Sequence, residues 1–358
     1  VIDLTLGDPD LPPPLNVRKA ACRAIMEGYT RYSANAGLLE LRRAISDDIR
    51  RSTGVEADSE REIIVTVGAM EAAFLTLYSL VEPGDEVVIH APYWINYSQV
   101  VRSLGAVPVF VYTRPEDGFQ LQADDLEAVL TKRTKVVVLN SPNNPTGAVI
   151  PEKTLEKIAE LAQRCDFTVL SDEIYESLVY DGCRSRSIRG IPGMKERTVV
   201  INGMSKRFAM TGWRLGWAVG PEKLIAQMTK MQENIVACAP LPAQHAGIEA
   251  LNKRTDTNYI REEFQRRRDL IYGGINAIDG LACRPVPATF YAFVDIGRTE
   301  LRAEDFVYRL LDCRRVAVVH GSAYGGSRYD RYIRIAFTLE EEKLKEALRR
   351  IRMFMASL

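Results

Sequence analysis

The middle of the chain alternates short runs of β-branched apolar residues with longer amphipathic stretches. The runs "EIIVTV", "DEVVIHAP" and "TKVVVLNSP" are each followed by residues at helical spacing, for example "PEKTLEKIAELAQRC". Strands that are apolar throughout and alternate with helices are typical of a parallel sheet covered by helices on both faces. Ligands bind such sheets at the carboxyl ends of the strands. The sequence therefore predicts an α/β fold, with functional residues directly after the strands.

Beyond Gly280 the pattern changes. The segments "TFYAFVDI", "RVAVVH" and "RYIRIAF" are typical of strands, and the helical segments "AEDFVYRLLDC" and "EEEKLKEALRRIRMFM" lie between and after them. The N-terminal stretch "VIDLTLGDPDLPPP" is too short and too rich in proline to fold alone. We predict a large domain over residues 27–275 and a smaller domain formed by residues 1–26 and 276–358.

Charge and residue spacing argue against several function classes. The 47 acidic and 47 basic residues balance, so no excess of positive charge indicates binding to nucleic acid or an anionic membrane. No apolar run approaches the roughly 18 residues of a membrane span, and the N-terminus lacks the pattern of a signal peptide. We therefore expect a cytoplasmic protein. The six cysteines and three histidines are scattered singly, which supports neither a metal site nor a Ser-His-Asp arrangement.

Two of the predicted strands end in residues suited to an anion and to a polar ligand. After "EIIVTV" the chain turns at Gly68 directly into a helix, so the free amides of Ala69 and Met70 lie at a positively polarised helix N-terminus. After "TKVVVL" comes "NSPNNPTG", in which turn formation accounts for the prolines and glycine but not for three asparagines. The side-chain amide of Asn144 is a candidate hydrogen-bonding group.

A third strand end carries carboxylates, and a later segment carries two cations. Asp172 and Tyr175 lie in "SDEIY" after the buried run "FTVL", where a carboxylate requires a cationic partner. Lys206 and Arg214 lie eight residues apart in "INGMSKRFAMTGWRLGW". Pyridoxal phosphate needs a lysine for its aldehyde, a carboxylate for its ring nitrogen and a clamp for its phosphate. Together these strand ends predict a pyridoxal-phosphate site.

The same segments resemble the class I and II pyridoxal-phosphate aminotransferases of fold type I, in the branch of bacterial and archaeal aspartate and aromatic aminotransferases. The resemblance extends from "LGDPD" to "YIRIAF", and "SPNNPTG", "SDEIY" and "SKRFAMTGWRLG" are its most specific parts. It implies a large domain with a mostly parallel seven-stranded sheet between helices, and a smaller α+β domain. It also implies a ping-pong transfer of an α-amino group from an L-amino acid to a 2-oxo acid.

The resemblance assigns the catalytic roles to three residues. Lys206 is implied to bind the cofactor aldehyde covalently and later to move the proton between the substrate α-carbon and the cofactor. Asp172 is implied to pair with the ring nitrogen and keep it protonated. Tyr175, together with Asn144, is implied to hydrogen-bond the phenolic oxygen of the cofactor.

The phosphate is implied to be held by four further residues. Arg214 matches the phosphate-binding arginine, whose planar guanidinium suits an oxyanion, and the amides of Ala69 and Met70 share the same group. Tyr32 in "RYSANAG" matches a tyrosine that reaches the phosphate of the neighbouring subunit. The resemblance therefore implies a homodimer with active sites at the subunit interface.

Substrate binding is implied for a set that overlaps the cofactor site. Arg334 in "YIRIAF" matches the arginine that binds the substrate α-carboxylate, and Gly7 in "LGDPD" contributes backbone nearby. Trp94 in "APYWINY" matches the aromatic residue that stacks on the cofactor ring. Trp94 and Asn144 are also expected to contact the substrate.

The chain departs from the family pattern at two positions. A serine that often contacts the phosphate is replaced by Gly203, and Ser205, directly before Lys206, is the candidate substitute. A lysine that reads the distal carboxylate in one bacterial aspartate-specific branch is replaced by Met70, which favours neutral or aromatic amino acids. Aspartate stays an alternative substrate, since another residue or the partner subunit could supply the charge. Family members also commonly carry a further N-terminal segment that packs on the partner.

Two other functions are compatible with parts of this pattern. A β-lyase or decarboxylase of the same fold would use the same lysine and aspartate, because the bond that breaks depends on substrate orientation. A ligand-sensing regulator built on this fold would need a DNA-binding module, and the N-terminus has no basic helical extension. The aminotransferase is the leading hypothesis.

Overall fold

The computed structural model describes residues 1–252 and 255–358. The strands within these residues are β1 Ile2–Asp3, β2 Ile63–Thr66, β3 Glu86–Ala91, β4 Val107–Tyr112, β5 Thr134–Asn140, β6 Thr168–Asp172, β7 Thr198–Gly203, β8 Gly216–Val219, β9 Tyr291–Asp295, β10 Val316–Ala317, β11 Val319–His320 and β12 Tyr332–Ala336. The α-helices are α1 Leu15–Met26, α2 Leu39–Thr53, α3 Ala69–Leu80, α4 Asn96–Ser103, α5 Ala123–Glu127, α6 Glu152–Cys165, α7 Met204–Arg207, α8 Glu222–Ile235, α9 Leu241–Ala250, α10 Asn258–Asn276, α11 Ala303–Arg314 and α12 Glu341–Met355.

A seven-stranded sheet forms the centre of the larger part of the molecule. Its strand order is β2-β8-β7-β6-β5-β3-β4. Strand β8 runs antiparallel to both of its neighbours, and the pairs from β7 to β4 are parallel. The predicted α/β fold with a mostly parallel seven-stranded sheet is confirmed. The carboxyl ends of β3, β5, β6 and β7 consequently meet at one edge, together with the end of β2.

The continuous apolar sequence of the strands follows from burial of both sheet faces. Successive residues of a strand point to opposite faces, and β2 illustrates this. Ile63 and Val65 pack in one cluster with residues of α2 and α9. Ile64 packs in another cluster with residues of α3 and α8. A strand enclosed in this way holds its last residues in fixed positions, which suits a site built at the strand ends.

The smaller part of the molecule contains two short sheets. Strands β11, β12 and β9 form an antiparallel sheet in that order, and β1 pairs in parallel with β10. Residues of α11 and α12 pack over these strands in one apolar cluster. The first residues of the chain therefore return to the C-terminal segment, as the sequence predicts.

Helices α1 and α10 connect the two parts. Val17 and Ala21 of α1 pack with the cluster that covers the large sheet. Phe264 and Ile271 of α10 pack instead with the cluster of the smaller part. The domain boundaries at residues 26/27 and 275/276 stay a prediction, and this packing favours placing α1 with the larger domain and α10 with the smaller one.

Two observations concern the environment of the protein. Within residues 1–252 and 255–358, no helix combines the length and the apolar composition that a membrane span needs. All six cysteines carry free thiols, and three of them are exposed.

Candidate active site

A cavity of about 330 Å³ opens where the carboxyl ends of β2, β3, β5, β6 and β7 meet. All predicted site residues but Tyr32 line it. The lining predicted residues are Gly7, Ala69, Met70, Trp94, Asn144, Asp172, Tyr175, Ser205, Lys206, Arg214 and Arg334. The exception, Tyr32, does not line this cavity and is 85% exposed on the surface. The structure thus brings together residues that are up to 327 positions apart in the sequence, from Gly7 to Arg334.

Lys206 lies on the short helix α7, which begins directly after β7. Its Nζ donates a hydrogen bond of 2.6 Å to the carbonyl oxygen of Gly7. Burial lowers the pKa of Lys206 to about 8, and the positive charges of Arg214 and Arg334 act in the same direction. A substantial fraction of this amine is therefore neutral near physiological pH, which is the form that attacks an aldehyde or accepts a proton.

Asp172 is the last residue of β6 and is almost fully buried. Its Oδ2 accepts a short hydrogen bond from the Tyr97 hydroxyl, and its Oδ1 accepts one of 3.1 Å from the Ile174 amide. Burial raises the pKa of Asp172 to about 6, whereas these hydrogen bonds and the charge of Lys206 oppose the rise. A cationic ligand group at this carboxylate would favour its ionised form.

Glu173, the carboxylate next in sequence, does not line this cavity. It accepts hydrogen bonds of 2.9 Å from the Ser171 hydroxyl and 2.6 Å from the Ser187 hydroxyl. Burial raises its pKa to about 7. Two adjacent carboxylates therefore have separate environments, and only Asp172 is available to a ligand in the cavity.

Arg334 lies on the central strand β12 of the three-stranded sheet and reaches into the cavity. Its Nη1 donates a 3.1 Å hydrogen bond to Oδ1 of Asn144, and its Nη2 donates to the Thr5 carbonyl oxygen. Its buried Nε has no hydrogen-bond partner among the described residues. The guanidinium is oriented by two fixed acceptors and keeps capacity to bind an anion such as a carboxylate.

A second anion-binding region lies at the start of α3. Gly68 precedes this helix with a φ of +83°, and the first amides of a helix, here those of Ala69 and Met70, have no partner within the helix. Nη1 of Arg214 donates a 2.7 Å hydrogen bond to the Thr211 carbonyl oxygen, and the Arg214 guanidinium lies beside Gly68. Free amides, a helix N-terminus and a guanidinium form a site suited to phosphate.

The glycines around this region are required by close packing. A Cβ on Gly216 would lie 2.4 Å from the Ala69 amide nitrogen. A Cβ on Gly203 would lie 2.9 Å from the Leu215 carbonyl oxygen. The backbone around Gly203 therefore leaves no room for a serine at that position, and Ser205 lines the cavity instead.

Sequence reasoning missed several residues that line the cavity. Tyr97 follows Trp94 by one helical turn in "YWINY", and this spacing could have indicated that it faces the same way. Asn140 is the last residue of β5, and its Oδ1 accepts a 2.8 Å hydrogen bond from the Asn144 amide. Tyr291 carries no signal in the sequence, because it is one aromatic residue in a largely apolar strand of the smaller part of the molecule. The other missed residues are Thr5, Leu6 and Ile174.

Comparison with known proteins decides the family. The chain matches aminotransferase class I and II over residues 1–351. It belongs to this family. A class I and II aminotransferase uses pyridoxal phosphate, so the predicted enzyme class and cofactor are confirmed.

Individual members of the aminotransferase family are similar over nearly the whole chain. The putative aminotransferase YugH of Bacillus subtilis is 42% identical, covering 99% of this chain and 92% of its own length. The aspartate/prephenate aminotransferase of Thermus thermophilus is 41% identical over 98% of this chain and 90% of its own length. The crystal structure of an aromatic aminotransferase from Pyrococcus horikoshii superposes with a TM-score of 0.97 at 39% identity, covering 100% and 96%.

The cavity of this aminotransferase fits pyridoxal phosphate. The N-terminus of α3 with Arg214 suits the phosphate, and the buried carboxylate of Asp172 suits a protonated ring nitrogen. Lys206 lies in the same cavity with the lowered pKa that an aldehyde-binding amine requires. Among the residues that the structure describes, no cluster of histidine, cysteine and acidic side chains could hold a metal ion.

Proposed function

We propose that this aminotransferase prefers L-amino acids with neutral, especially aromatic, side chains. One observation carries the proposal. The cations that line the cavity in the described part of the chain are Lys206, Arg214 and Arg334, and each already has a role. The side chains that remain at the cavity mouth are apolar, with Leu6 60% and Met70 44% exposed. Against the described residues of a single chain, a distal carboxylate would be desolvated without a cationic partner, which is unfavourable.

The roles of the site residues are part of the same proposal. Arg334, held by Asn144, binds the α-carboxylate and fixes the position of the substrate Cα relative to Lys206. Pyridoxal phosphate, when bound, supplies the electron sink that makes the Cα proton acidic. The neutral Nζ of Lys206 takes up that proton from the substrate Cα and would deliver it to the former aldehyde carbon of the cofactor. The ionised carboxylate of Asp172 holds a proton on the ring nitrogen beside it.

Trp94 and Tyr175 complete the proposed site. Trp94 lies edge-on to Tyr97, with ring centroids 5.3 Å apart, so its position is fixed by a buried neighbour. We assign it to the cofactor ring face and to the substrate side chain. The Tyr175 hydroxyl is assigned to the phenolic oxygen of the cofactor, as the motif "SDEIY" implies, and Ser205 to its phosphate.

We also propose that the enzyme is a homodimer in the cytoplasm. Tyr32 lies in an exposed segment that carries the apolar side chains of Met26 and Tyr29, which are 86% and 44% exposed. Exposed apolar surface of this kind is typical of an interface. The free thiols of all six cysteines support a reducing compartment. Sedimentation velocity would test the dimer, and Tyr32→Phe is expected to weaken cofactor binding if the tyrosine reaches the partner's phosphate.

Single-turnover spectroscopy tests the substrate preference. The enzyme loaded with pyridoxal phosphate is mixed with one amino acid at a time, without an oxo acid, and the loss of its visible absorption band is followed. Phenylalanine and tyrosine are expected to react faster than aspartate. The variant Met70→Lys is expected to raise the rate with aspartate, and Met70→Leu serves as its control. Fastest conversion by aspartate in the unmodified enzyme would refute the proposed preference.

The same experiment separates the remaining functions. If the visible band forms and no amino acid converts it, while ammonia or carbon dioxide is released, the enzyme is a lyase or decarboxylase of this fold. If no band forms, the assignment of Lys206 is wrong.

A further inference from the structure

Tyr291 lies between the proposed cofactor side and the proposed substrate side of the cavity. It is the first residue of β9 and is 3% exposed. Its hydroxyl oxygen is 3.1 Å from the hydroxyl oxygen of Tyr175. Its ring centroid is 4.4 Å from the guanidinium carbon of Arg334. One side chain therefore contacts both the group assigned to the cofactor oxygen and the group assigned to the α-carboxylate.

The backbone allows Tyr291 to occupy this position because Gly7 faces it. A Cβ on Gly7 would lie 1.9 Å from the Tyr291 hydroxyl oxygen. Any other residue at position 7 would displace the phenol or the N-terminal segment. The same Gly7 carbonyl accepts the hydrogen bond of Lys206, so the phenol and the amine are placed against one backbone segment.

A strained residue holds Tyr291 from the other side. Thr289 is fully buried and has a φ of +67°, which is an outlier for a β-branched residue. Its amide donates a 2.8 Å hydrogen bond to the Leu178 carbonyl oxygen, and its own carbonyl oxygen accepts one from the Tyr180 hydroxyl. Its Oγ1 accepts a 3.2 Å hydrogen bond from the Tyr291 amide. Such strain persists only where surrounding contacts over-determine the backbone, and it concentrates at functional sites.

The direction of the hydrogen bond between the two phenols follows from their surroundings. In its proposed role, Tyr175 uses its proton toward the cofactor oxygen, which leaves its oxygen as an acceptor. The Tyr291 hydroxyl has no other hydrogen-bond partner among the described residues. Tyr291 is therefore the donor, and the chain runs from Tyr291 through Tyr175 to the cofactor. When the Tyr175 oxygen accepts a hydrogen bond, the hydrogen bond that the same hydroxyl donates becomes stronger.

We propose that Tyr291 is a positioning residue that serves both halves of the site. Its hydroxyl donates to Tyr175 and strengthens the hydrogen bond that Tyr175 gives to the cofactor oxygen. Its ring lies against the guanidinium of Arg334 and orients it for the substrate α-carboxylate. The inference rests on the roles proposed above for Tyr175 and Arg334, and the experiments test those roles separately.

The first experiment isolates the hydroxyl. The visible absorption band of the cofactor-loaded enzyme is titrated with pH for the unmodified protein, Tyr175→Phe, Tyr291→Phe and the double variant. Hydrogen bonds to the phenolic oxygen withdraw negative charge, so their loss raises the midpoint of the titration. We expect a rise of roughly 0.2 to 0.5 pH units for Tyr291→Phe and a larger one for Tyr175→Phe. The double variant should match Tyr175→Phe alone.

The outcomes of this titration are distinct. Tyr332→Phe is the matched control, because it removes a phenol from the same small sheet outside the cavity, and it should leave the midpoint unchanged. A shift in Tyr175→Phe without one in Tyr291→Phe would overturn the inference and leave the proposed role of Tyr175 intact. No shift in either variant would overturn both.

The second experiment isolates the ring. The dissociation constant of 3-phenylpropionate, a carboxylate without an amino group, is measured from its effect on the same band. Loss of the ring in Tyr291→Leu should weaken binding roughly five- to tenfold, whereas Tyr291→Phe should change it less than about twofold. Arg334→Lys measures the role of the arginine itself. Equal affinity of the Leu and Phe variants, with weak binding by Arg334→Lys, would overturn only the contribution of the Tyr291 ring.

Discussion

The buried carboxylate of Asp172 predicts that the cofactor-free enzyme is stabilised by a substitution that harms its function. We consider Asp172→Asn, which keeps the size of the side chain. Its carbonyl oxygen can accept from the Ile174 amide, and its NH2 group can donate to the Tyr97 hydroxyl in place of the hydrogen bond that the carboxylate accepts. The ionised carboxylate is poorly solvated in the cavity wall, and burial raises its pKa from 3.8 to about 6. An amide has no ionised form and does not incur this cost.

The magnitude follows from the two pKa values. Between pH 3.8 and about 6 the folded state binds more protons at this site than the unfolded state, so the contribution of Asp172 to stability falls as the pH rises. Above about pH 6 this loss of stability is complete, and the difference of about two pKa units corresponds to about 3 kcal/mol of unfolding free energy. At pH 4.5 the same linkage lowers the unfolding free energy by only about 1 kcal/mol. Asp172→Asn should therefore stabilise the cofactor-free protein by about 2 kcal/mol more at pH 7.5 than at pH 4.5.

Urea unfolding of cofactor-free protein at the two pH values, at one protomer concentration, measures this difference. Asp181→Asn is the control, because the Arg268 guanidinium lowers the pKa of this surface carboxyl and the pH dependence should have the opposite sign. The cofactor-loaded variant should lose rather than gain stability, since its partner for the ring nitrogen is gone. A change in unfolding free energy that is equal at both pH values, or negative at pH 7.5, would refute the reasoning.

Three further predictions concern the other parts of the cavity. Gly216→Ala places a Cβ against the Ala69 amide and should weaken pyridoxal phosphate binding about tenfold or more, measured by fluorescence titration, whereas Gly212→Ala, with open space around it, should not. Lys206→Ala should abolish amino-acid turnover without lowering the melting temperature of the cofactor-free protein, because it removes a buried amine whose pKa is lowered by burial; a retained half-reaction would contradict its role. Arg334→Ala should raise the apparent dissociation constant of amino acids by about 10² or more, read from single-turnover rates against concentration, and an unchanged constant would place the carboxylate elsewhere.

The fold, and the gathering of the candidate cofactor residues in one cavity, could be predicted from the sequence because strand ends are local features. Asp172 and Asn144 follow apolar runs within a few residues, and the parallel sheet then brings their side chains to one edge. Gly68 with the start of α3 is similarly visible, since a glycine directly before a helix marks the turn.

The rest depended on packing between distant segments. Tyr291 lies in an apolar strand, and only its contacts with Tyr175 and Arg334 distinguish it from a core residue. The contact of Lys206 with the Gly7 carbonyl joins positions 199 residues apart. The exclusion of a serine at position 203 arises from the carbonyl of Leu215, the residue directly before the neighbouring strand β8. A local sequence pattern does not reveal contacts between residues that lie so far apart in the chain.

The amine and the arginine of the site belong to different sheets. Lys206 follows strand β7 of the large sheet, whereas Arg334 lies on the central strand of the three-stranded sheet. The rings of Tyr175 and Phe290, which follow β6 and precede β9, meet edge to face with centroids 5.4 Å apart. In the proposed roles of Lys206 and Arg334, the spacing between the amino group and the carboxylate of an accepted substrate is consequently set by how the two sheets are docked. Such an enzyme selects α-amino acids by the distance between their amino and carboxylate groups. A substitution that shifts the docking of the two sheets would therefore change this spacing even if every lining residue were kept.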